Sequence, residues 1–201
     1  MKTHILIIAV GLTMALGCTE KQAPASGEAT GTLVFSDNFN RDTVGADWLD
    51  TGGGYRIVGG KLRAQGARNK PLWLKKKLPR DARIEFTASS LSPSVDIKVE
   101  AFGDGRSKAI GLSYTATSYV FILGGWNNTK SIIARMNEHG KDRKVRTEPK
   151  GIPGKTYHFS IVRKENRLEW NLDGKRFLAM DDGKPLAGPG HEYFGAVSYT
   201  H

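Results

Sequence analysis

The chain has 201 residues and a single cysteine, Cys18, so it has no second thiol with which to form a pair. An intrachain disulfide and a thiolate metal site are therefore both excluded. The apolar run at the N-terminus, Ile5–Leu16, is too short to span a bilayer stably. The sequence also lacks a glycine-rich phosphate loop, a nucleophile elbow and a paired Cys/His motif, which removes the usual signatures of nucleotide-binding, serine-hydrolase and zinc proteins.

Helical periodicity is missing as well. No stretch of ten or more residues repeats its apolar side chains with a period of 3.6 residues. Short alternating segments such as Arg83–Ala88 and Asp96–Phe102 occur instead, separated by glycine-rich turns, and Asp173-Gly174 is a strong type I′ hairpin signal. The pattern predicts an all-β fold, an antiparallel β-sandwich that forms one domain over residues 32–201.

The first 31 residues have the composition of an export and anchoring segment. Lys2 precedes the apolar run, and Ala15-Leu16-Gly17 leads directly to Cys18. This order resembles a bacterial lipoprotein signal, in which small residues precede a cysteine that is lipidated and becomes the mature N-terminus. The resemblance implies a signal peptide at residues 1–17 and a lipidated Cys18 at the start of a flexible tether, residues 18–31. The alternative is a simple secretory signal in which Cys18 is incidental.

Thr19, the residue after the cysteine, resembles that of lipoproteins sorted to an outer membrane. The resemblance implies a protein of the bacterial cell envelope that contacts the membrane through its lipid anchor.

Acidic residues are scarce relative to basic ones, 20 against 30, which gives a net charge of +10, or +9 once residues 1–17 with Lys2 are removed. Such a surface attracts polyanions, among them acidic glycans and anionic lipids, although a solvated basic face that keeps the protein soluble is the alternative. No nucleic-acid-binding module accompanies the charge, so no specific nucleic-acid partner is expected. The positive charges form two clusters: Lys70, Lys75, Lys76, Lys77, Arg80 and Arg83, and Lys141, Arg143, Lys144, Arg146 and Lys150.

Four short motifs carry a resemblance to a known fold: SDNFNR at Ser36–Arg41, the following Trp48, the GGKL hairpin at Gly59–Leu62, and LEWNLDGKRF at Leu168–Phe177. They are similar to the concanavalin A-like jelly roll, whose superfamily includes laminin-G-like modules, legume-type lectins and glucanases. The chain also resembles uncharacterised bacterial surface lipoproteins that carry this fold. The resemblance implies a glycan as the partner.

Such jelly rolls often hold a structural Ca²⁺ ion in their loops, and the resemblance implies no other cofactor. The candidate ligands are turn aspartates, because Ca²⁺ prefers hard oxygen ligands. Aspartate is also a common turn former without any metal, which is the alternative. The aspartates concerned are Asp37, Asp104, Asp181 and Asp182.

The densest polar and aromatic group of the sequence lies in Ser113–Arg143. A strand is predicted at Tyr119–Leu123, a reversal at Gly124–Asn128 and a returning strand at Ser131–Met136, followed by a polar loop. The reversal is expected to project an indole and two amides into solvent, whereas Trp48, Trp73 and Trp170 are expected in the core. An indole stacks on the apolar face of a sugar, and amides bond its hydroxyls. The candidate ligand-binding residues are therefore Trp126, Asn127, Asn128, Arg135, Glu138 and His139. The alternative is that Trp126 folds back as a lid over the core.

The sequence gives weaker evidence for catalysis than for ligand binding. Glucanases of this fold use Glu-x-Asp-x-x-Glu on one strand, because two carboxylates must flank the scissile bond, and that pattern is absent. Asp96 and Glu100 share a strand face but lie roughly 13 Å apart by strand rise, and Lys98 between them indicates a charge ladder on a solvated face. Glu138 and His139 could act as base and acid, or bind a metal together with Asp142; a hydrogen-bonded surface loop is the alternative.

These observations predict a lipid-anchored cell-envelope protein whose β-sandwich binds a glycan, acidic glycans included, without cleaving it. Two alternatives remain open. One is a glycan-active hydrolase or lyase of the same fold, and the other is a purely structural envelope lipoprotein.

Overall fold

The computed structural model describes residues 3–8, 31–111 and 114–198, and strands dominate it. Within these three ranges no helix is long and apolar enough to cross a membrane. The strands are β1 (Thr3–Ile8), β2 (Gly31–Asp37), β3 (Trp48–Asp50), β4 (Arg56–Ile57), β5 (Leu62–Arg63), β6 (Leu72–Leu74), β7 (Ala82–Ala88), β8 (Ile97–Gly103), β9 (Tyr119–Gly124), β10 (Lys130–Arg135), β11 (Lys144–Arg146), β12 (Tyr157–Lys164), β13 (Arg167–Leu172), β14 (Lys175–Asp181) and β15 (Tyr193–Ser198). A single tight turn, α1 (Gly125–Asn128), joins β9 to β10.

The strands of the described chain form two large sheets that pack face to face. The six-stranded sheet has the order β14-β13-β12-β7-β1-β2, and the seven-stranded sheet has the order β11-β10-β9-β8-β15-β6-β3. Strands β4 and β5 form a separate hairpin. Strand β1 lies parallel to both of its neighbours, and the other pairs are antiparallel. The predicted antiparallel β-sandwich is confirmed.

The space between the two sheets holds the main apolar core, which alternating side chains of the central strands supply. Phe86 and Phe159 stack with their ring centroids 4.6 Å apart, and Trp170 stacks on Phe159 at 5.7 Å. Trp48, Trp73 and Trp170 are all buried, as predicted. Trp73, however, packs on the opposite face of the seven-stranded sheet, where its ring lies against Gly103 and Gly195.

Asp37 fixes the turn that follows β2. Its carboxylate accepts hydrogen bonds from both Nη atoms of Arg41 at 2.6 Å and from Nε1 of Trp48 at 2.8 Å. Burial alone would raise the pKa of Asp37, but the hydrogen bonds from Arg41 and Trp48 lower it below its ordinary value. The ionised Asp37 therefore ties the SDNFNR motif to Trp48 in the core.

Strand β1 coincides with part of the segment predicted to be a signal peptide. Thr3–Ile8 pairs with β2 along one edge and with β7 along the other. In the described chain, β1 is the only strand that pairs with β2. Cys18 and the remainder of the tether before Gly31 lie outside the described residues. The signal peptide thus stays a prediction, and its removal would take β1 out of the sheet.

Removal of residues 1–17 is expected to expose the amides of β2 to hydrogen exchange. β2 loses its hydrogen-bonding neighbour, whereas β13 keeps both of its own. Hydrogen exchange of the chain that starts at Cys18, followed by mass spectrometry, should show rapid exchange in Gly31–Asp37 and continued protection in Arg167–Leu172. Unchanged protection of Gly31–Asp37 would mean that β2 docks on another strand once β1 is gone.

Candidate functional site

The outer face of the seven-stranded sheet, which points away from the main core, is covered rather than solvated. Its central residues on β8, β9 and β10 are all buried: Lys98, Glu100, Val120, Ile122, Ile132 and Ala134. Residues 114–118 lie over this face, held by backbone hydrogen bonds from Ala116 to the carbonyl of Met136 and from Met136 to the carbonyl of Ser118. The four apolar residues form a second small core with Ala116, and Tyr114 and Trp126 pack against it. We call this buried face the outer layer.

The outer layer contains a group of charged side chains around one ammonium. Nζ of Lys98 lies 2.5 Å from Oε2 of Glu138 and donates a hydrogen bond to Oδ1 of Asn69 at 2.7 Å. Glu100 accepts hydrogen bonds from the hydroxyls of Tyr114 at 3.0 Å and Ser118 at 2.7 Å. Its other oxygen, Oε1, has no partner in residues 3–8, 31–111 and 114–198.

The expectation of a solvated charge ladder at Asp96, Lys98 and Glu100 is wrong. Lys98 is 2% exposed and Glu100 is fully buried. The reason is tertiary, because the covering segment and the loop that carries Glu138 close over β8 and remove its outer side chains from water.

Burial sets the protonation of these carboxyls. Desolvation raises the pKa of Asp96 to about 7, even though the nearby Lys98 lowers it, and the charge of Glu138 raises it further. Desolvation also raises the pKa of Glu100, against the lowering effects of Lys98, Ser118 and Tyr114. The cluster therefore holds Lys98 and Glu138 as an ion pair, with two carboxyls beside it that tend to keep their protons.

Strained backbone positions Asp96. Val95 and Asp96 both have positive φ angles, 57° and 49°, a region that a β-branched residue such as valine very rarely adopts. Val95 is buried against two glycines, and a Cβ built on Gly124 or Gly151 would approach Val95 atoms to 2.9 Å and 2.8 Å. This close packing holds the Asp96 turn against the reversal between β9 and β10.

That reversal is left-handed. Trp126, Asn127 and Asn128 have φ angles of 52°, 56° and 60°, which cost on the order of 1–2 kcal/mol for each side chain larger than glycine. The side chain of Asn128 compensates, because it donates to the carbonyl of Gly151 at 2.7 Å and accepts from the amide of Gly151 at 2.9 Å. The structure thus places the reversal where the sequence predicts it. The predicted solvent-facing role of Asn128 is wrong, since its amide serves as a clamp.

Trp126 is intermediate between the two alternatives predicted from the sequence, a solvent-exposed ring and a lid over the core. Its half-buried side chain packs on the outer layer, and its ring meets the ring of His139 edge-on at 5.6 Å. Two cations flank the indole, with the guanidinium carbon of Arg143 at 5.3 Å from the ring centroid and Nζ of Lys130 at 5.9 Å. The residue is neither a free ring nor a lid over the main core, and part of the indole remains accessible.

The structure brings three of the predicted site residues together. Nε2 of His139 lies 3.6 Å from Oε1 of Glu138, and the His139 ring contacts Trp126. Asn127 is exposed beside them, with its Oδ1 3.4 Å from Oγ of Ser94.

Arg135 does not join this site. Alternation along β10 turns it to the face that also carries the core residue Ile133. There its Nε donates to Oδ2 of Asp182 at 3.2 Å and to the carbonyl of Lys184 at 3.3 Å. Arg135 therefore lies apart from the other candidate residues, and a role for it in ligand binding stays a prediction.

Sequence reasoning missed the residues that support the site from below. Asn69 and Tyr114 come from distant loops, and no local pattern marks them. Lys98 and Glu100 did carry a signal, since three ionisable residues alternate along one face of β8 from Asp96 onward. Only the closure of residues 114–118 and of the Glu138 loop over β8 shows that this face is buried.

The turn aspartates considered for calcium already bond to protein groups. Asp104 accepts from the amide and hydroxyl of Ser107, and Asp182 accepts from the hydroxyl of Tyr119 at 2.6 Å. Among the residues that the structure describes, no group of three or more His, Cys, Asp and Glu side chains is arranged to hold a metal ion.

Replacement of Asp96 by asparagine should remove a pH dependence of stability. A carboxyl whose pKa is higher in the folded than in the unfolded state makes the fold less stable as pH rises from about 4, its ordinary range, to about 7. Asp96→Asn should lack this loss, so its unfolding free energy relative to the wild type should rise between pH 4 and pH 7 in urea titrations. Asp142→Asn, at an exposed position in the neighbouring loop, is the matched control. Parallel pH profiles for the wild type and Asp96→Asn would contradict the assignment.

Comparison with known proteins supports the fold. No known family of domains matches the sequence. Among curated proteins, the chain is 25% identical over 181 residues to an extracellular exo-α-L-arabinofuranosidase from Streptomyces chartreusis. The alignment covers 88% of this chain and 20% of that enzyme, so the chain spans about a fifth of the length of this relative.

Several solved structures are similar. The carbohydrate-binding module CBM66 from Bacillus subtilis matches with a TM-score of 0.54 at 12% identity, over 78% of this chain and 91% of the module. Sheep galectin-11 in complex with glycerol matches with a TM-score of 0.47 at 13% identity, over 64% of this chain and 90% of the galectin. A β-glucanase from Bacillus licheniformis matches with a TM-score of 0.42 at 10% identity, over 79% and 77%. The fold is a concanavalin A-like jelly roll, which confirms the resemblance drawn from the sequence motifs.

Proposed function

We propose that this protein binds a glycan on the rim of the outer layer, beside Trp126, and does not cleave it. The observation that carries the proposal is the half-buried indole of Trp126, which a strained left-handed turn holds next to the polar side chains of Glu138 and His139. An aromatic ring offers an apolar platform for a sugar ring, and the neighbouring carboxylate and imidazole can bond hydroxyls. Asn127 and Asp96 extend the polar rim on the side of the Val95 turn.

The comparisons support glycan binding but do not identify the glycan. A carbohydrate-binding module has the same fold over most of this chain, and the curated relative is a glycosidase five times as long as the aligned region. A glycan is therefore the class of ligand that the fold, the relative and the residues at the rim favour together.

The positive net charge of the protein favours an acidic glycan as the ligand. The protein carries a net charge of +10, and Lys75 and Lys76 are exposed. Within the same cluster Lys77 is paired with Glu192 at 2.9 Å. The exposed lysines leave the surface attractive to polyanions, at least at low ionic strength.

We propose binding without cleavage because of the positions of the carboxyl groups. A glycosidase of the usual type needs two carboxyl groups that both reach the scissile bond. Glu100 is fully buried under Tyr114 and Ser118, and Glu138 is held in an ion pair with Lys98. Asp96 is the remaining carboxyl of the cluster.

Hydrolysis remains the second candidate because burial of Asp96 beside Glu138 raises its pKa to about 7. A carboxyl that keeps its proton near neutral pH is suited to act as a general acid. Incubation of the protein with arabinan and β-glucan, followed by a reducing-end assay, separates this candidate from simple binding. Release of reducing ends by the wild type but not by Asp96→Asn would favour the hydrolase.

Trp126→Ala should weaken glycan binding at least tenfold, because it removes the proposed sugar platform. Since the ring is half-buried, the unfolding free energy should fall by about 1–2 kcal/mol, less than the roughly 3–5 kcal/mol of a fully buried aromatic residue. A glycan array identifies a ligand for the wild type, and titration calorimetry with thermal melting then measures both effects.

Two further variants control this experiment. Trp126→Phe keeps an aromatic ring and should retain most of the affinity, and Lys175→Ala, at an exposed position of the β13–β14 hairpin, should change neither property. Full affinity in Trp126→Ala would remove this rim as the binding site. A glycan array without any binding at low or high salt would favour the purely structural envelope protein.

We further propose that the protein is anchored in the bacterial outer membrane through a lipid on Cys18. The proposal is supported by the sequence order of Lys2, the apolar run and the small residues before the sole cysteine. Cys18→Ser should abolish metabolic labelling with palmitate and shift the protein out of the membrane fraction. Labelling that persists in this variant would refute the anchor, and a cleaved but unlabelled wild-type protein would indicate a simple secretory signal.

A further inference from the structure

Two cations flank the indole of Trp126 at the rim of the outer layer. The guanidinium carbon of Arg143 lies 5.3 Å from the ring centroid, and Nζ of Lys130 lies 5.9 Å from it. Both distances are close to the outer limit of about 6 Å at which an aromatic ring attracts a cation, so neither group is held tightly against the ring. In the described part of the chain, neither cation forms an ion pair with a carboxylate.

The pairing of two strands brings these cations to the same indole. Lys130 begins β10, and alternation along the strand places it on the face that also carries the buried residues Ile132 and Ala134 of the outer layer. Arg143 directly precedes β11, which pairs with β10. The two side chains reach Trp126 from different elements because β11 returns along β10.

Arg143 keeps one edge of its guanidinium free for a ligand. Its Nη1 donates to the carbonyl of Glu138 at 2.8 Å, which holds the side chain against the loop. Nε and Nη2 have no hydrogen-bond partner among the residues that the structure describes, and neither atom is buried. These two atoms form the side edge of the guanidinium, where paired donors match the two oxygens of a carboxylate. Nζ of Lys130 is likewise accessible and makes no hydrogen bond to the described residues.

The carboxyl groups near the indole do not neutralise these cations. Glu138 is already in an ion pair with a buried ammonium, at 2.5 Å. Desolvation raises the pKa of Asp96 to about 7, which keeps this carboxyl mostly protonated in mildly acidic solution. Asp142 is exposed next to Arg143 in the chain, and residues 141–144 also include two exposed lysines. Positive charge therefore exceeds negative charge around the indole.

We propose that the rim binds the carboxylate of a uronic acid residue side-on to Nε and Nη2 of Arg143, with the sugar ring against the indole of Trp126. Lys130 supplies a second positive charge beside the same ring. This inference rests on the proposed function and adds the class of sugar to it. The net charge of the protein attracts any polyanion, whereas the free edge of a guanidinium beside an aromatic ring selects a carboxylate that is attached to a sugar.

Titration calorimetry on the full chain, at constant ionic strength, tests the inference with trigalacturonate and its fully methyl-esterified form. The two ligands share their rings and hydroxyls, and the ester lacks the charge. The wild type should bind trigalacturonate at least tenfold more tightly than the ester. Arg143→Met should weaken the binding of trigalacturonate about tenfold, and Lys130→Met should weaken it less because an ammonium is a single point charge. Both variants should leave the affinity for the ester within twofold.

A matched control removes the same charge elsewhere. Lys61→Met, at an exposed position in the turn of the separate β4–β5 hairpin, should change neither affinity. If Arg143→Met lowers the melting temperature by loosening the loop that carries Glu138, Lys130→Met decides the test, because Lys130 donates no hydrogen bond within the described chain.

The outcomes separate this inference from the proposed function. Equal affinity of the wild type for the acid and the ester, or full affinity for trigalacturonate in both Arg143→Met and Lys130→Met, would overturn the carboxylate site. A sulfated galactose trisaccharide that binds as tightly as trigalacturonate would also overturn it, since general attraction of anions would then account for the binding. In each of these cases, loss of binding to a glycan of the array in Trp126→Ala would leave glycan binding at the rim intact. Absence of binding to every glycan would refute both proposals.

Discussion

The ion pair between Lys98 and Glu138 is the interaction on which the arrangement of the outer layer depends. It joins a central strand to a loop forty residues later in the chain, and Lys98 is almost entirely removed from water. Desolvation of two charges is unfavourable unless their geometry and additional hydrogen bonds offset it, which Asn69 helps to do. Loss of Glu138 would leave the buried ammonium of Lys98 without its ion-pair partner, which favours closure of the loop over β8.

Closure of that loop has consequences for the whole seven-stranded sheet. Strands β8, β9 and β10 are buried on both faces, by the main core on one side and by the covering segment and Trp126 on the other. This explains why Tyr119–Gly124 is a continuous apolar run that does not alternate with polar residues, since every side chain of it is buried. It also explains how three carboxyls come to lie around one ammonium in a desolvated site, where the pKa values of Asp96 and Glu100 rise.

The rim around Trp126 combines an aromatic ring with polar and charged side chains. It offers the indole beside a carboxylate and an imidazole, which suits the hydroxyls and apolar face of a sugar. The cations of Arg143 and Lys130 flank the same indole, at 5.3 Å and 5.9 Å from the ring centroid.

The sequence by itself determined the fold class and the position of the turns. Alternating apolar residues specify strands, Asp173-Gly174 specifies a hairpin, and the residues at Gly124–Asn128 tolerate positive φ angles, all of which are local properties. Tertiary structure alone decided which polar side chains form a site. Arg135 faces Asp182 rather than Trp126 because of its register on β10, Asn128 clamps Gly151 across 23 residues, and Lys98 is buried because a distant loop covers it. Burial and long-range partners depend on how the sheets and loops close over one another, and no local pattern encodes that closure.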